Sequence, residues 1–421
     1  MENQQTAAPI LSRGQIAAVA AGNALEFYDF LIFGFFAVQI AAVFFPVKDA
    51  TNSLLLTLAT FGVGFLTRPL GGALIGPLGD RIGRKPAMLL SFGLMGASVV
   101  GLALTPSYAS IGVAAPTLLV LFRLLQGFAL GGEVGPSTAF LMEAAPVHKR
   151  AFYVSVQFAT QQAATLAAGI VGVLLASLLS PENLIAWGWR IAMLLGAAVV
   201  PLALAIRRNL PETLPQTEGA TRPRLTSAQI GLALLTLMVL ASVTITTYAL
   251  ININLFATRT LGLSAAQAFG AAVIGGACGV VFNPVGGWLS DRIGRKPVMI
   301  GAYGLLCLVG LPCFVAMVET RTSGVLYATV ALMASLLAVG TPSVMALVAE
   351  GLPPQMRSGG IGIIYAVAIA LFGGTAALVV TWLTQVTGSP LAPAWYMCAA
   401  LALGVCCMLP LRETAPVKVG K

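Results

Sequence analysis

The chain has 421 residues, of which 58% are hydrophobic and only 9% are charged. Soluble globular proteins have roughly 25% charged residues, so this composition excludes a water-soluble globule and indicates a membrane protein. The net charge of +9 does not indicate nucleic-acid binding, because the basic residues form short clusters between long apolar runs, a pattern typical of membrane topology.

A spanning helix needs about 20 mostly apolar residues. Twelve such segments are predicted, at 15–45, 53–78, 87–106, 114–142, 151–179, 188–207, 228–257, 266–289, 298–318, 323–349, 358–386 and 392–411.

The segments are too long for strands and show no period-two alternation, so an all-α membrane fold is expected. With the N-terminus inside, nearly all basic clusters fall on one side of the membrane. The positive-inside rule therefore predicts that both termini are cytoplasmic. The longest polar connector falls at mid-chain and is rich in Pro and Thr. It divides the chain into a six-helix bundle at 1–206, a cytoplasmic linker at 207–227 and a second six-helix bundle at 228–421.

Two short sequences of the first half return in the second. "GPLGDRIGRKP" at 76–86 returns as "GWLSDRIGRKP" at 287–297, and "EAAPVHKR" at 143–150 returns as "EGLPPQMR" at 350–357. Parallel repeats of this kind place a substrate near the bilayer midplane, between the halves. Charges in these loops either form pairs that lock one conformational state or serve only as topological signals. The predicted ion-pair or gating residues here are Asp80, Arg84, Glu143, Arg150, Asp291, Arg295, Glu350 and Arg357.

The repeated motif G-x3-D-R-x-G-R-K resembles the signature of the major facilitator superfamily. "GNALEFYDF" in the first helix, "FLTRPLGG" at 65–72, "RLLQGFALGGEVGPSTAFLMEAAP" at 123–146 and "WGWR" at 187–190 resemble its metabolite:proton symporter branch. "VQFATQQAA" at 156–164 is similar to the citrate and tricarballylate carriers. The resemblance implies a transporter of the bacterial inner membrane that works by alternating access. Substrates of this branch include tricarboxylates, 2-oxoglutarate, shikimate, proline and betaine.

Five charged residues fall well inside the predicted spans, away from their ends, and all of them are in the first half. Charged side chains at the bilayer centre face a cavity or one another. Arg123 is predicted to anchor a substrate carboxylate, because guanidinium offers two parallel donors; the alternative is a structural pair with an acidic neighbour. Arg68 is predicted to form an ion pair with an acidic group or to contact a helix end near the cytoplasmic side; the alternative is contact with the substrate.

The other three intramembrane charges are acidic. Glu26 and Asp29 are three residues apart and share a helical face. Two close carboxylates in a low dielectric cannot both ionise cheaply, so one of them is expected to hold a proton, as proton-coupled transport requires. Glu133, which lies among glycines, is a third candidate for proton coupling. The alternative is that these acids permanently neutralise the two arginines.

Neutral polar residues in the spans can complete a site for an organic acid. Such residues either bind the substrate or form hydrogen bonds between helices. The candidates for substrate binding are Gln157, Gln161, Tyr248, Asn252, Asn283 and Tyr365, together with Arg123.

The sequence argues against a membrane enzyme. His148 is the only histidine, so a multi-histidine metal site is impossible, and G-x4-G-K-[ST] of a nucleotide-binding loop is absent. We therefore expect a transporter without cofactor or metal, which acts as a monomer on a small organic acid and protons and binds no nucleic acid. The leading prediction is proton symport of citrate or a related tricarboxylate. The alternatives are another metabolite of the branch, such as 2-oxoglutarate, shikimate, proline or betaine, and a drug exporter.

Overall fold

The structure is a computed structural model that describes residues 24, 27–28, 30–46, 49–82, 84–131, 138, 141–142, 145–208, 227–352 and 354–419. Within these ranges only the backbone is described at 50–51, 76–82, 84–88, 92, 199–208, 227–230 and 354–359. The gap at mid-chain separates an N-terminal part, residues 24–208, from a C-terminal part, residues 227–419.

The described ranges are helical almost throughout and contain no β-strand, as the long apolar segments predict. Residues 30–35 continue the first predicted span ahead of the first complete helix. The main helices are α1 (Ala37–Phe44), α2 (Ala50–Leu66), α3 (Arg68–Ile82), α4 (Arg84–Leu104), α5 (Ala114–Leu130), α6 (Arg150–Leu178), α7 (Trp189–Arg208), α8 (Ser227–Ile251), α9 (Ile253–Arg259), α10 (Ala265–Ile293), α11 (Arg295–Thr320), α12 (Ser323–Gly351), α13 (Pro354–Ala368), α14 (Gly374–Thr387) and α15 (Ala392–Met408).

Seven helical stretches within the described residues are long and apolar enough to cross a membrane. Their outward side chains include exposed leucines such as Leu178 and Leu308, which a hydrocarbon environment accommodates and water does not. The seven stretches are Asn52–Ile75, Val147–Leu178, Gly231–Ile251, Ala265–Ile293, Arg295–Thr320, Ser323–Gly351 and Gly360–Thr387.

Besides the first predicted span, which has a turn at Phe36, three predicted spans are interrupted within the described residues. The second span breaks at Thr67, two residues before Pro69, which has no N–H to donate to the preceding turn. The seventh breaks at Asn252, whose side-chain Nδ2 donates to the Tyr248 carbonyl at 2.7 Å and so competes with the helical backbone. The eleventh contains a π-helical turn over Ile369–Gly373. All three interruptions lie at membrane depth, where broken helices are tolerated beside protein or a cavity.

The two parts meet along a seam between α6 and α10, which pack along their length. Gly276 of α10 makes this possible, because a Cβ there would lie 2.7 Å from Leu166 Cα of α6. A second contact between the parts joins α2 to α14. Near the start of α10, the rings of Phe35 and Phe36 contact Phe269. The N-terminal and C-terminal parts are thus in contact along the seam, between α2 and α14, and through these aromatic rings.

Candidate functional site

A cavity of about 80 Å³ lies between the N-terminal and C-terminal parts. Its walls come from the first predicted span, α6, α8, α10, α12, α13 and the π-helical turn, so both parts contribute to it. Typical ligand pockets measure roughly 300–1,000 Å³, so this conformation must widen before it admits a substrate. Its polar lining residues are Gln161, Gln162, Thr244, Thr247, Tyr248, Asn283, Thr341 and Tyr365.

Four of the predicted substrate-binding residues therefore share one cavity. Gln161 lines it from α6 and Tyr365 from α13. Tyr248 lines the same space from α8 and Asn283 from α10. The sequence could not show this convergence, because it depends on how four separate helices pack.

Arg68 borders the cavity through aromatic rings. Its Cζ lies 4.4 Å from the centroid of the Phe65 ring and 5.0 Å from that of Phe30. Both rings contact the ring of Tyr248, which lines the cavity. Stacking of this kind is attractive and leaves the edge of the guanidinium free to donate hydrogen bonds.

Arg123 is only 1% exposed and shares the Phe30 ring with Arg68. Its Cζ is 4.4 Å from the Phe33 centroid, 5.0 Å from Phe61 and 5.6 Å from Phe30. One Nη donates to Gln126 Oε1 and the other to the Phe61 carbonyl at 3.3 Å, while Nε has no hydrogen-bond partner. Arg123 does not line the cavity, so the predicted anchor is separated from it by aromatic rings in this conformation.

Two other predicted binding residues lie behind the cavity wall. Gln157 accepts a hydrogen bond from Thr138 at 3.0 Å, and Asn252 holds the break between α8 and α9. Neither lines the cavity. The proton-coupling candidates Glu26, Asp29 and Glu133 lie outside the described residues, as does Glu143.

At the far end of α10, acidic and basic side chains form a compact cluster. Arg295 is fully buried and pairs with Asp291 at 2.6 Å and with Glu350 at 3.0 Å. Thr414 also donates to Glu350, at 2.7 Å. Four residues predicted from the repeat lie near this end, namely Asp291, Arg295, Glu350 and Arg150. Three of them form the ion pairs, whereas only the backbone is described at Asp80, Arg84 and Arg357.

Asp291 also connects the two parts of the chain. Its carboxylate accepts from the backbone N–H groups of Ala151 and Phe152 at 3.1 and 2.9 Å, in the first turn of α6. Arg150 stands at the first position of the same helix. A carboxylate at a helix N-terminus satisfies unpaired donors and complements the helix dipole, so Asp291 holds α6 and α10 together at this end.

Sequence reasoning missed Glu413, which lies just beyond α15. Its carboxylate accepts from the N–H groups of Arg295 and Lys296 at 2.9 and 3.0 Å, and from those of Thr414 and Ala415 at 2.9 Å each. Partial burial alone would raise the pKa of Glu413, but these four donors outweigh it and hold the pKa below its ordinary value. The left-handed φ of 112° at Gly294 permits the approach, because a Cβ there would lie 2.8 Å from Glu413 Oε2.

The arrangement offers recognition of an anion rather than covalent chemistry. Hydroxyl and amide groups share the cavity wall with apolar side chains, and an arginine lies beside it. In the part of the chain that is described, no group of three His, Cys, Asp or Glu side chains could hold a metal ion. Such a site can bind and release a polar solute.

Known proteins show the same organisation. The sugar (and other) transporter family matches residues 15–216, and the major facilitator superfamily matches residues 232–421. A crystal structure of a D-xylose-proton symporter superposes with a TM-score of 0.76 at 19% identity, covering 96% of this chain and 98% of that one. That likeness establishes the fold.

Sequence relatives of similar length establish the family. A citrate-proton symporter of Salmonella typhi is 34% identical over 408 residues, which cover 95% of this chain and 94% of the relative. An alpha-ketoglutarate permease of Escherichia coli (strain K12) is 34% identical over 387 residues, which cover 91% of this chain and 89% of the relative. The protein is therefore a member of the metabolite:proton symporter branch of the major facilitator superfamily.

Proposed function

We propose that this protein is a secondary active transporter that carries citrate or a related tricarboxylate together with protons by alternating access. It is a transporter and not an enzyme, as its family membership implies. The citrate-proton symporter among its relatives supports the choice of substrate. We propose that it needs no cofactor, acts as a monomer in the bacterial inner membrane and spans it twelve times with both termini cytoplasmic. Two six-helix bundles, at 1–206 and 228–421, would flank a linker at 207–227.

One observation carries the proposal for an acidic substrate: two arginines in predicted spans both lie against Phe30, beside a cavity whose wall includes neutral polar groups. Arg68 and Arg123 each keep an Nε without a hydrogen-bond partner. A buried donor without a partner is costly, so a carboxylate that reaches these nitrogens gains strongly. We propose that Arg68 meets the substrate first and that Arg123 joins when the aromatic rings rearrange.

The other proposed contacts follow the cavity wall. Gln161, Tyr248, Asn283 and Tyr365 line the cavity and would hydrogen-bond the acid. For Gln157 and Asn252 a substrate contact stays a prediction that requires the wall to move.

Protons are needed for a physical reason. An anion that enters a cell moves against an inside-negative potential, at about 2.3 kcal/mol per charge per 100 mV. Protons carried along offset that penalty, and we propose Glu26, Asp29 and Glu133 as the groups that carry them.

Asp291, Arg295 and Glu350 would lock the cytoplasmic end in one state and release it in the other. Asp80, Arg84, Glu143 and Arg150 are proposed to do the same in the first half, and Arg357 is proposed to act with Glu350 in the second.

A zwitterion such as betaine or proline is the weaker candidate. An aromatic cage could hold its cationic end, and Phe30, Phe33, Phe61 and Phe65 form a group of that kind. However, the guanidinium groups of Arg68 and Arg123 already cover these rings. A second cation is repelled from a site that holds two positive charges.

Uptake of labelled citrate into proteoliposomes with an imposed pH gradient tests the function. We expect uptake that depends on the gradient and that excess unlabelled tricarballylate inhibits, whereas excess proline or betaine does not. Inhibition by 2-oxoglutarate alone would identify the dicarboxylate alternative. No citrate uptake, or uptake indifferent to the gradient, would contradict the proposal.

A further inference from the structure

Two buried side-chain atoms of the cavity wall lack a hydrogen-bond partner. Asn283 is 2% exposed, and its carbonyl oxygen Oδ1 receives no hydrogen bond; Gln161 is 7% exposed, and its Nε2 donates none. Both residues line the cavity. The first atom is an acceptor that needs a donor, and the second is a donor that needs an acceptor. Buried polar groups are nearly always satisfied, so each of the two atoms needs a partner that the described chain does not supply.

A neighbouring contact fixes the direction of the Asn283 amide. Asn283 Nδ2 donates to the Gly279 carbonyl, one turn earlier on α10, at 2.7 Å, and this leaves Oδ1 as the free end. The close packing of α6 on α10 through Gly276 brings both residues to the same cavity. The two unpaired atoms are thus held in place before any substrate arrives.

We propose that Asn283 and Gln161 recognise a hydroxyl group on the transported acid. The hydroxyl donates its hydrogen to Asn283 Oδ1, and its oxygen accepts from Gln161 Nε2. A carboxylate can only accept and an ammonium can only donate, so neither satisfies both atoms. The inference rests on the proposed function and narrows its substrate class to hydroxylated carboxylic acids.

Citrate and tricarballylate form a matched pair of probes, because they share three carboxyl groups and differ only in one hydroxyl. Each acid competes with labelled citrate for uptake by the wild-type protein in proteoliposomes. A site that hydrogen-bonds a substrate hydroxyl discriminates strongly against the analogue without it, so we expect citrate to compete at a concentration at least about tenfold lower. Equal potency of the two acids would overturn the inference, and it would also be the result if the atoms bound a protonated carboxyl instead.

Variants then assign the preference to the two residues. Asn283→Leu and Gln161→Met keep the approximate size of each side chain and remove the hydrogen-bonding atoms. Each should weaken competition by citrate about tenfold and leave tricarballylate nearly unchanged, so that the preference falls toward one. A preference that survives in both variants would overturn the assignment. Because the variants stand on different helices, failure of one to fold leaves the other as a test.

Asn254→Leu is the matched control. Asn254 is also buried, with an unpaired Oδ1 and an Nδ2 that donates to a backbone carbonyl, that of Phe35 at 3.0 Å, but it does not line the cavity. The ratio between the two acids should stay at the wild-type value in this variant. Failure of the proposed function looks different, because neither acid would then compete for any gradient-dependent uptake.

Discussion

The N-terminal and C-terminal parts use their buried arginines in opposite ways. In the N-terminal part, Arg68 and Arg123 lie at membrane depth against aromatic rings, and each keeps an unpaired Nε. In the C-terminal part, Arg295 lies at one end of the bundle, where it pairs with both Asp291 and Glu350. Aromatic rings satisfy the charge of a guanidinium only partly, whereas two carboxylates satisfy its charge and its donors together.

We infer from this difference that Arg68 and Arg123 serve to recognise the substrate, whereas Arg295 serves to close one end of the bundle. A guanidinium with spare donors can bind a carboxylate of the substrate, while one that is saturated by its own chain cannot. The seam between α6 and α10 connects the two functions, because α6 contributes Gln161 to the cavity and its first turn to Asp291. A substrate that shifts α6 therefore acts on the same helix that Asp291 holds.

Replacing Arg295, which pairs with two carboxylates, should have the largest effect on stability. Arg295→Met leaves Asp291 and Glu350 buried without their cation, and breaking a buried ion pair in this way costs about 3–5 kcal/mol. We expect a large fall in the thermal unfolding temperature of the purified protein. Arg292→Met is the control, because Arg292 is exposed and stacks on Trp288 at 4.3 Å. Equal stability of the two variants would show that the cluster contributes nothing to the closed state.

Widening the seam should have the next largest effect. Gly276→Ala places a methyl group 2.7 Å from the backbone Cα of Leu166, and overpacking of this kind costs about 1–3 kcal/mol. Gly275→Ala is a control one residue away, where the nearest atom would lie at 3.5 Å, in ordinary contact. Thermal unfolding and citrate uptake should fall in the first variant and not in the second. If both behave like wild type, α6 and α10 separate easily and do not limit transport.

Replacing an arginine that stacks on rings should mainly change affinity. Arg68→Lys keeps the positive charge but loses the planar donor set and the stacking on Phe65, an effect of about 1–2 kcal/mol. The half-saturating citrate concentration should therefore rise about tenfold, with little change in unfolding temperature. Arg292→Lys is matched in chemistry, since Arg292 also stacks on an aromatic ring but stands away from the cavity. Equal affinity in both variants would remove Arg68 from the site.

Much of the fold could be predicted from the sequence. Hydropathy alone predicted a segment at 298–318 for α11 and one at 323–349 for α12, because a bilayer imposes a length on every spanning helix. The repeat singled out Asp291, Arg295 and Glu350 as candidates for ion pairs, but it did not predict that the three meet, because the sequence alone pairs Glu350 with Arg357. In contrast, the distance of Arg123 from the cavity could not be predicted, since it depends on which rings pack around the guanidinium.

The role of Glu413 could have been predicted from a short sequence pattern that occurs at the end of each half. "ETAP" at 413–416 resembles "ETLP" at 212–215, so the end of each half carries the same short acidic pattern, E-T-x-P. Glu212 lies outside the described residues. By symmetry we expect Glu212 to approach the start of α4, the counterpart of α11, as Glu413 approaches Arg295 and Lys296.

Replacing Glu413 by a neutral residue should have the smallest effect on stability, and that effect should depend on pH. Glu413→Gln removes the charge that accepts four backbone hydrogen bonds, which costs about 1 kcal/mol for a helix cap. Because the folded-state pKa of Glu413 is lowered, its stabilisation is complete above the ordinary glutamate pKa and is lost as pH falls through the folded value. The difference in unfolding temperature between wild type and variant should therefore be constant near neutral pH and shrink in acid.

The matched control is Glu319→Gln, at an exposed position near the end of α11. It should change the unfolding temperature little at any pH, since an exposed charge contributes little to stability. A Glu413→Gln difference that persists unchanged in acid would mean that the carboxylate charge is not what caps α11. In that case the C-terminal cluster would depend on the Arg295 ion pairs alone, and the symmetry argument for Glu212 would lose its basis.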